Sequence, residues 1–475
     1  MSNRHRAFAL TALGLTAVLA GCAVGPDYRR PALTLPSNYP QADHAAAGQG
    51  SVRAEWWKLY NDTTLNDLVD ATLKNNVDLR KAVAQIEEAE AVFAEADTGL
   101  FPEVDLNASS TKARSSTLTA QQLPPGTPAL TKSTRLTLST SFELDFWGRL
   151  RRISESARAA ALASRYAKDV LALTLAGTTA QTYFALRSLD AQIAVSTATL
   201  KSREEALTLV KSRAQGGIAS DLDVSQAEGA RADAAVQRRE LQRQRALLEH
   251  QLGSLTGKLD LAIAAGDLMT LPNPAQPPAG LPSTLLQRRP DVQQAEQNLI
   301  SANAQIGAAR AAQFPTFTLT GSYGGQSEAL VDLTKDAARI WSLGPSMTLP
   351  IFDAGRHAAR TRQAQARERQ ALAGYQKTVE AAFTEVADAL INVQQSTATV
   401  ADIQRKVTAT HTALRLARLR YEAGYSAYIE VLDAQRNANA AEQALVQNRQ
   451  SQLSYSVDLM KALGGGWEAE KQSQR

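Results

Sequence analysis

The sharpest hydrophobic pattern in the chain has a period of two. In RLTLSTSFELDF, the even positions are Leu136, Leu138, Thr140, Phe142, Leu144 and Phe146. The odd positions are Arg135, Thr137, Ser139, Ser141, Glu143 and Asp145. Phe317, Leu319, Gly321 and Tyr323 alternate in the same way with Thr316, Thr318, Thr320 and Ser322. Trp341, Leu343, Met347, Leu349 and Ile351 alternate with Ser342, Gly344, Ser346 and Thr348. Val104, Leu106 and Ala108 form a weaker first member. Successive side chains of a strand point to opposite faces, so each stretch predicts a strand with one apolar and one polar face. A membrane barrel needs such strands, with lipid on one face and water on the other. A soluble antiparallel sheet over a core needs the same alternation, and the pattern alone does not separate the two.

Between these stretches the period changes. Leu79, Val83, Ile86, Ala89, Phe93 and Ala96 recur every three or four residues, which predicts a helix. Phe101-Pro102 and Phe314-Pro315 each end a helix and begin a strand, because the residue before proline is biased to extended backbone. From Arg149 to Ala214 there is no proline and one interior glycine, Gly177. Arg356 to Ala423 repeats this with Gly374. At 1.5 Å per residue each would be a helix of roughly 100 Å, too long for a compact domain. Four strands leave two open sheet edges, and no candidate helix remains to cover them. Closure then requires further copies of the chain. Two would supply eight strands and a filled interior, three would supply twelve and a lumen, and cyclic symmetry permits either.

The chain is written twice. NNVDLRKAVAQIEEAEAVFAEADTGLFPEVDLNAS (75–109) lies over RRPDVQQAEQNLISANAQIGAARAAQFPTFTLTGS (288–322) at a shift of 213. FWGR (146–149) lies over DAGR (353–356) at a shift of 207, and so does RAQGGIASDLDVSQAE (213–228) over RYEAGYSAYIEVLDAQ (420–435). The difference falls between Pro102 and Gly148, in a stretch containing QQLPPGTP, where a loop tolerates it. LPNPAQPPAGLP (271–282) carries five prolines and reads as the connector, and Pro290 suits the first turn of the helix that follows.

Composition narrows the function classes. The chain has 475 residues, 5% aromatics and a formal charge of +4, with both signs interspersed. No basic stripe with interleaved aromatics suggests nucleic-acid binding. The histidines (His5, His44, His250, His357, His411) are scattered without metal-like spacing, and there is no phosphate-binding loop, so neither an enzyme nor a cofactor site is expected. His357 and His411 are expected on solvated helix faces. Only four methionines occur, one of them the initiator.

The N-terminus MSNRHRAFALTALGLTAVLAGC has two arginines, an apolar run of about 14 residues, too short to span a bilayer, and the chain's one cysteine. Leu19-Ala20-Gly21-Cys22 resembles a bacterial lipobox, in which Cys22 carries the lipid; the plain alternative is a secretory signal with an incidental cysteine. Cleavage before Cys22 takes the formal charge from +4 to +2. Ala23, in place of an aspartate, implies outer-membrane sorting by the same resemblance. After Ala20 no apolar stretch approaches the ~20 residues of a membrane helix, so any crossing must be a closed barrel.

GCAVGPDYRRP (21–31), FELDFWGRLRR (142–152), LPIFDAGR (349–356) and RYEAGYSAYIEVLDAQ, in that order, resemble the TolC family of outer-membrane efflux channels, in particular its lipoprotein branch typified by OprM and NodT-like proteins. The resemblance covers essentially the whole mature chain. It implies a mixed α+β membrane protein: a homotrimer whose twelve strands, four per chain, form one outer-membrane β-barrel continued by a long periplasmic α-helical barrel. It implies a passive duct that works with a periplasmic adaptor and an inner-membrane pump of the resistance-nodulation-division type, embedded in outer-membrane lipid. The expected organisation is a signal peptide (1–21), an N-terminal equatorial segment (22–76) and a first repeat (77–270, strands about 103–111 and 134–146, helices about 148–214 and 220–256). A connector (271–285), a second repeat (286–465, strands about 316–324 and 340–352, helices about 355–422 and 427–462) and a tail (466–475) follow.

On this resemblance the two echoed motifs are helix-turn-helix tips, with Gly217 and Gly424 in the turns, where an adaptor docks. The tip tyrosine falls on Tyr421 and the inner acidic positions of the aperture on Glu430 and Asp433, with Asp223 as the first-repeat counterpart of Glu430. Acids near helix starts also favour the positive end of the helix dipole, and Asp221 and Asp223 suit that reading equally. The archetype's tip arginine is here Ser426, so its locking scheme does not transfer; a gate restrained by Tyr421 hydrogen bonds and packing is expected instead. The competing architecture is a lipid-anchored periplasmic adaptor with helical hairpins, which would show one hairpin flanked by compact β domains. The transported substrate is not legible.

Overall fold

The computed structural model describes residues 23–34, 36, 39, 55–116, 128–272 and 288–465. The expected signal peptide (1–21), Cys22, most of the proline connector and the tail from 466 lie outside the described residues. The helices are α1 (Thr63–Asn75), α2 (Val77–Thr98), α3 (Arg149–Gln215), α4 (Asp221–Thr256), α5 (Pro290–Ala311), α6 (Arg356–Glu422) and α7 (Tyr428–Ala462). The strands are β1 (Glu103–Arg114), β2 (Leu130–Leu144), β3 (Thr316–Ser327) and β4 (Arg339–Thr348). Helix, two strands, a 67-residue helix, a turn and a long helix thus occur once in each half. The fold is mixed α+β and internally duplicated.

Two strand ends differ from the alternation pattern, for local reasons. β2 stops at Leu144, because the Asp145 carboxylate accepts from the backbone N–H of Leu150 and Arg151 and so caps the start of α3. β4 stops at Thr348, ahead of Pro350, which has no N–H for a ladder. Leu349, Ile351 and Phe352 are consequently exposed in the connection to α6.

The chain divides into two compact units. The first comprises Met1–Ala32, Ile86–Ser164 and Ala295–Tyr375. It contains the sheet, of order β1-β2-β3-β4 and antiparallel throughout. The register puts Leu106, Leu138, Tyr323 and Trp341 in one row across all four strands. The next row on that face is Val104, Thr140, Gly321 and Leu343. The opposite face carries Asp105, Ser139, Ser322 and Ser342 in one row. There the Ser322 and Ser342 hydroxyls are 2.8 Å apart, and Asn107 Nδ2 donates to Ser139 Oγ at 2.7 Å. At the helix end of the sheet, Trp147 stacks on Phe314 and donates from Nε1 to the Pro315 carbonyl at 2.7 Å. The extended segment after Cys22 docks in the same unit. Val24 N donates to Trp147 O, and Arg30 grips the buried Glu296 carboxylate through two bonds, joined by the Tyr28 hydroxyl.

The second unit comprises Leu33–Gln85, Arg165–Gln294 and Gln376–Arg475. Its core gathers Trp56, Tyr60, Leu65, Tyr183, Phe184, Leu252, Leu453 and Met460, all fully buried. Trp56 and Trp57 are therefore packing residues. Tyr60 shares a 2.6 Å hydrogen bond with Ser456, so the buried hydroxyls are matched. Asp190 accepts from Arg245 and from Gly266 N, and Arg187 donates to the Ala264 carbonyl, which fixes the loop before the connector.

Candidate functional site

Two surfaces carry the chemistry. The first is the wall-like sheet. Its apolar face is open: Leu106 is 66% exposed, Leu343 69% and Trp341 73%. The polar face is open in the single chain as well, at Asp105, Ser141 and Ser342. A soluble sheet places its apolar side over a core; this one leaves it uncovered. β1 and β4 each pair on one side only, so each presents a free backbone edge.

The second surface is the pair of hairpin turns between α3 and α4 and between α6 and α7. Both turns are built identically. Ile218 N donates to Arg213 O at 2.8 Å and Gly217 N to Ala214 O at 2.9 Å. Tyr425 N donates to Arg420 O at 2.9 Å and Gly424 N to Tyr421 O at 3.0 Å. This paired pattern satisfies the last helix carbonyls and requires a left-handed residue between them. Gly217 has φ +75° and Gly424 φ +81°, and an added Cβ would meet nothing within 4 Å at either. The glycines are there for backbone angle and not for space.

The helix starts that follow are not equivalent. Ser220 caps α4: its hydroxyl accepts from Asp223 N while Asp223 Oδ2 accepts from Ser220 N at 3.0 Å. Asp223 is thus half of a capping box. At the matching position α7 has Ala427, with no side-chain cap. Beneath the turns, Leu207, Val210, Ala227, Tyr428 and Val431 form a small core with Tyr421 and Leu414 against it.

The two tips are tied by a residue that sequence reasoning passed over. Arg213 lies over the Tyr421 ring at 4.9 Å and donates from Nη1 to the Tyr421 carbonyl at 3.3 Å. Its repeat partner, Arg420, instead approaches Glu430 at 3.9 Å. Nothing in the echoed motif distinguishes these two arginines. Tyr421 also tilts against Tyr428 at 5.2 Å, and burial raises its phenol pKa above the usual range. Its hydroxyl and that of Ser426 are buried without a hydrogen-bond partner among the described residues. The restraint on Tyr421 within one chain is therefore packing and the arginine contact, not the expected hydroxyl hydrogen bond. Asp433 is paired with Arg436 at 2.5 Å. Glu430 and Asp433 thus come with counter-cations, while Asp223 is held by Ser220 instead. Away from the tips, His357 is not on an open face: it is held against Asp353, whose carboxylate accepts from His357 N. Among the described residues no helix is long and apolar enough to cross a membrane, and no group of metal-ligating side chains occurs.

The sequence profile of the family described as "Outer membrane efflux protein" matches residues 68–258 and 281–465, that is, both repeats. The chain belongs to the outer membrane efflux protein family. It is 36% identical over 474 residues to a protein of Pseudomonas putida named as the probable efflux pump outer membrane protein TtgC, covering 96% of each chain. It is 34% identical over 458 residues to the cation efflux system protein CusC of Escherichia coli, covering 95% of this chain and 97% of that one. Among solved structures, the outer-membrane channel OprN superposes with a TM-score of 0.86 at 31% identity, covering 94% of this chain and all of that one. Membership accounts for both surfaces at once: an outward apolar sheet and long hairpins are the two parts that an outer-membrane efflux protein must own.

Proposed function

We infer that the chain is the outer-membrane channel of a tripartite efflux system, a passive duct for small molecules across the periplasm and outer membrane. The observation that carries this reading is the open four-stranded sheet with its apolar face exposed. In a chain with free β1 and β4 edges, identical neighbours complete the ladder, β1 of one copy against β4 of the next. Antiparallel order is kept across that joint, because β1 and β4 run in opposite directions. Three copies give twelve strands and a lumen lined by the serine and threonine face; two would give a barrel filled by its own side chains. Belt height supports the lipid assignment. Eight residues separate Leu144 from Leu136, about 27 Å along the strand at 3.4 Å each. A tilt near 40° reduces this to about 21 Å, close to the apolar band of outer-membrane barrels.

The tips support docking by a periplasmic adaptor that bridges to an inner-membrane pump of the resistance-nodulation-division type. Both expose an apolar pair at equivalent positions, Ile218 with Leu222 and Tyr425 with Ile429. Two similar tips per chain in a trimer would offer six near-equivalent contacts. The second tip, which lacks the cap of the first, is the more easily moved, and it carries Tyr421, Glu430 and Asp433 as the aperture residues. The hydroxyls of Tyr421 and Ser426, covered within their own chain, would find partners in the adjoining copy only where the assembled tip shifts to uncover them. Lipid anchoring at Cys22 accords with the docked segment after it, which Val24 holds at the strand-to-helix junction. The cargo is set by the pump: relatives of similar identity bear names as different as an efflux pump component and a cation efflux protein.

The test is mass measurement and planar-bilayer recording on the purified full chain. A trimer that conducts ions supports the duct. A delipidated monomer that stays in water without conducting identifies the adaptor-like alternative and overturns it.

A further inference from the structure

On the outward face of the sheet the pattern continues past the apolar belt. Beyond Leu136 come Ser110 and Thr134, whose hydroxyls lie 3.3 Å apart, and then Lys112 and Lys132. These two lysines are register partners on adjacent antiparallel strands, and Arg114 follows on the same face of β1. All three are exposed. Like charges directly opposite each other on neighbouring strands are destabilising, so the pair needs a counter-charge. Among the described residues none of the three has an ion-pair or hydrogen-bond partner. Two other cations at this end of the sheet are neutralised, Lys335 by Asp332 at 2.6 Å and Arg339 by Asp336 at 2.5 Å. The sequence joining β1 to β2, SSTLTAQQLPPGTPA, contains no acid. A neighbouring copy would bring β4 alongside β1, and the same-face residues of β4 are Arg339, Trp341, Leu343 and Met347, none of them acidic.

We propose that Lys112, Lys132 and Arg114 bind the phosphate groups of the outer-leaflet lipid head groups that surround the wall, in a bacterial outer membrane those of lipopolysaccharide. The proposal rests on the sheet being the membrane wall. Lys132 stands four residues beyond Leu136, about 10 Å farther along the membrane normal after tilt. That places the ammonium groups in the polar layer, roughly 5–8 Å thick on each side of the hydrocarbon core, with their stems reaching over the belt. The two lysines would share an anion that cancels their mutual repulsion.

The experiment uses the full chain purified in detergent and freed of lipopolysaccharide, titrated with phosphorylated lipid A, dephosphorylated lipid A and inorganic phosphate. K112Q with K132Q is the test variant; because it removes a repulsive pair, it is expected to assemble and conduct like the parent. K335Q, which removes a cation already neutralised, is the control. Phosphorylated lipid A should bind the parent and K335Q alike and the double variant roughly 30-fold more weakly, the factor that two cations at an anionic surface supply. The dephosphorylated lipid should bind all three weakly, and inorganic phosphate should not compete. Equal binding by parent and double variant overturns the proposal. Full competition by inorganic phosphate overturns the lipid assignment. A double variant that loses its oligomer while still binding lipid A places the lysines at a subunit contact, and also overturns it. None of these results touches the wall reading, which fails only if the parent does not insert and conduct.

Discussion

Arginine at position 138 tests the membrane wall most directly. Leu138 lies on β2, an internal strand, so a change there leaves the free edges alone. It is six residues from Leu144 and six from Lys132, about 16 Å along the normal from each after tilt. It therefore sits inside the proposed apolar belt, two residues or about 5 Å along the normal from the belt's middle at Thr140. An arginine near the midplane on the lipid face of such a barrel costs up to about 2–4 kcal/mol. Three copies carry it three times, roughly 6–12 kcal/mol per trimer, which rivals the whole stability of an ordinary domain. On a water-washed sheet the same change would be nearly neutral, within about 0.5 kcal/mol, because Leu138 is 49% exposed. Ser141→Arg is the matched control: three residues along the same strand, exposed, on the polar face and opposite Glu103. The assay is the fraction of chain recovered as heat-resistant oligomer from outer membranes, with urea titration of the reconstituted protein. Leu138→Arg should abolish or sharply reduce assembly while Ser141→Arg assembles. Equal recovery of the two variants would refute the assignment of faces.

Ala427→Ser should rebuild at the second tip the capping box that the first tip has, since Glu430 already stands at the third helical position; about 1 kcal/mol of added local stability is expected, read as slower hydrogen exchange at the start of α7 and less frequent opening events in bilayers. Tyr421→Phe combined with Ser426→Ala removes the two unpartnered hydroxyls; single-channel conductance should rise if they bond to an adjoining copy, and conductance held at the closed value sinks that gate. Asp458 is half-buried and accepts from Gln181 at 2.7 Å, with burial, the largest influence, raising its pKa above the usual carboxylate range. A raised folded-state pKa means that the folded chain holds the proton more tightly. Its stabilising contribution is complete below the unfolded-state value and is lost as pH rises through the folded one. The thermal midpoint should therefore fall as pH climbs from the carboxylate range toward neutrality; Asp458→Asn should flatten that slope and raise the midpoint at pH 7, and an unchanged slope in the variant counts against the assignment.

Much of this molecule could be read from local pattern. Period-two alternation marks a strand because pleated side chains point alternately to either face, and a proline-free run marks a helix because little else interrupts one. Gly217 and Gly424 stood out because the left-handed turn tolerates few other residues. Even the unequal caps were visible in principle, as Ser220 with Asp223 against Ala427 with Glu430. Arg213 was not legible, because it and Arg420 are the same residue at the same place in the two repeats. Their partners differ only because the two hairpins meet different neighbours. The same limit hid Lys112 and Lys132: each is an ordinary charge until the register sets them side by side.

The amino-acid order settled which elements form, how long they run, that they come twice and which strand positions are apolar, because each of these depends on neighbours a few residues away. It left open which face of the sheet is covered, since a soluble core and a lipid wall demand the same alternation. That was resolved by packing between residues far apart in the chain. The helices of the sheet's own unit leave Leu106, Leu138, Tyr323 and Trp341 uncovered, and an exposed apolar surface of that extent marks a contact with membrane or protein, which in this family is the lipid side of the wall.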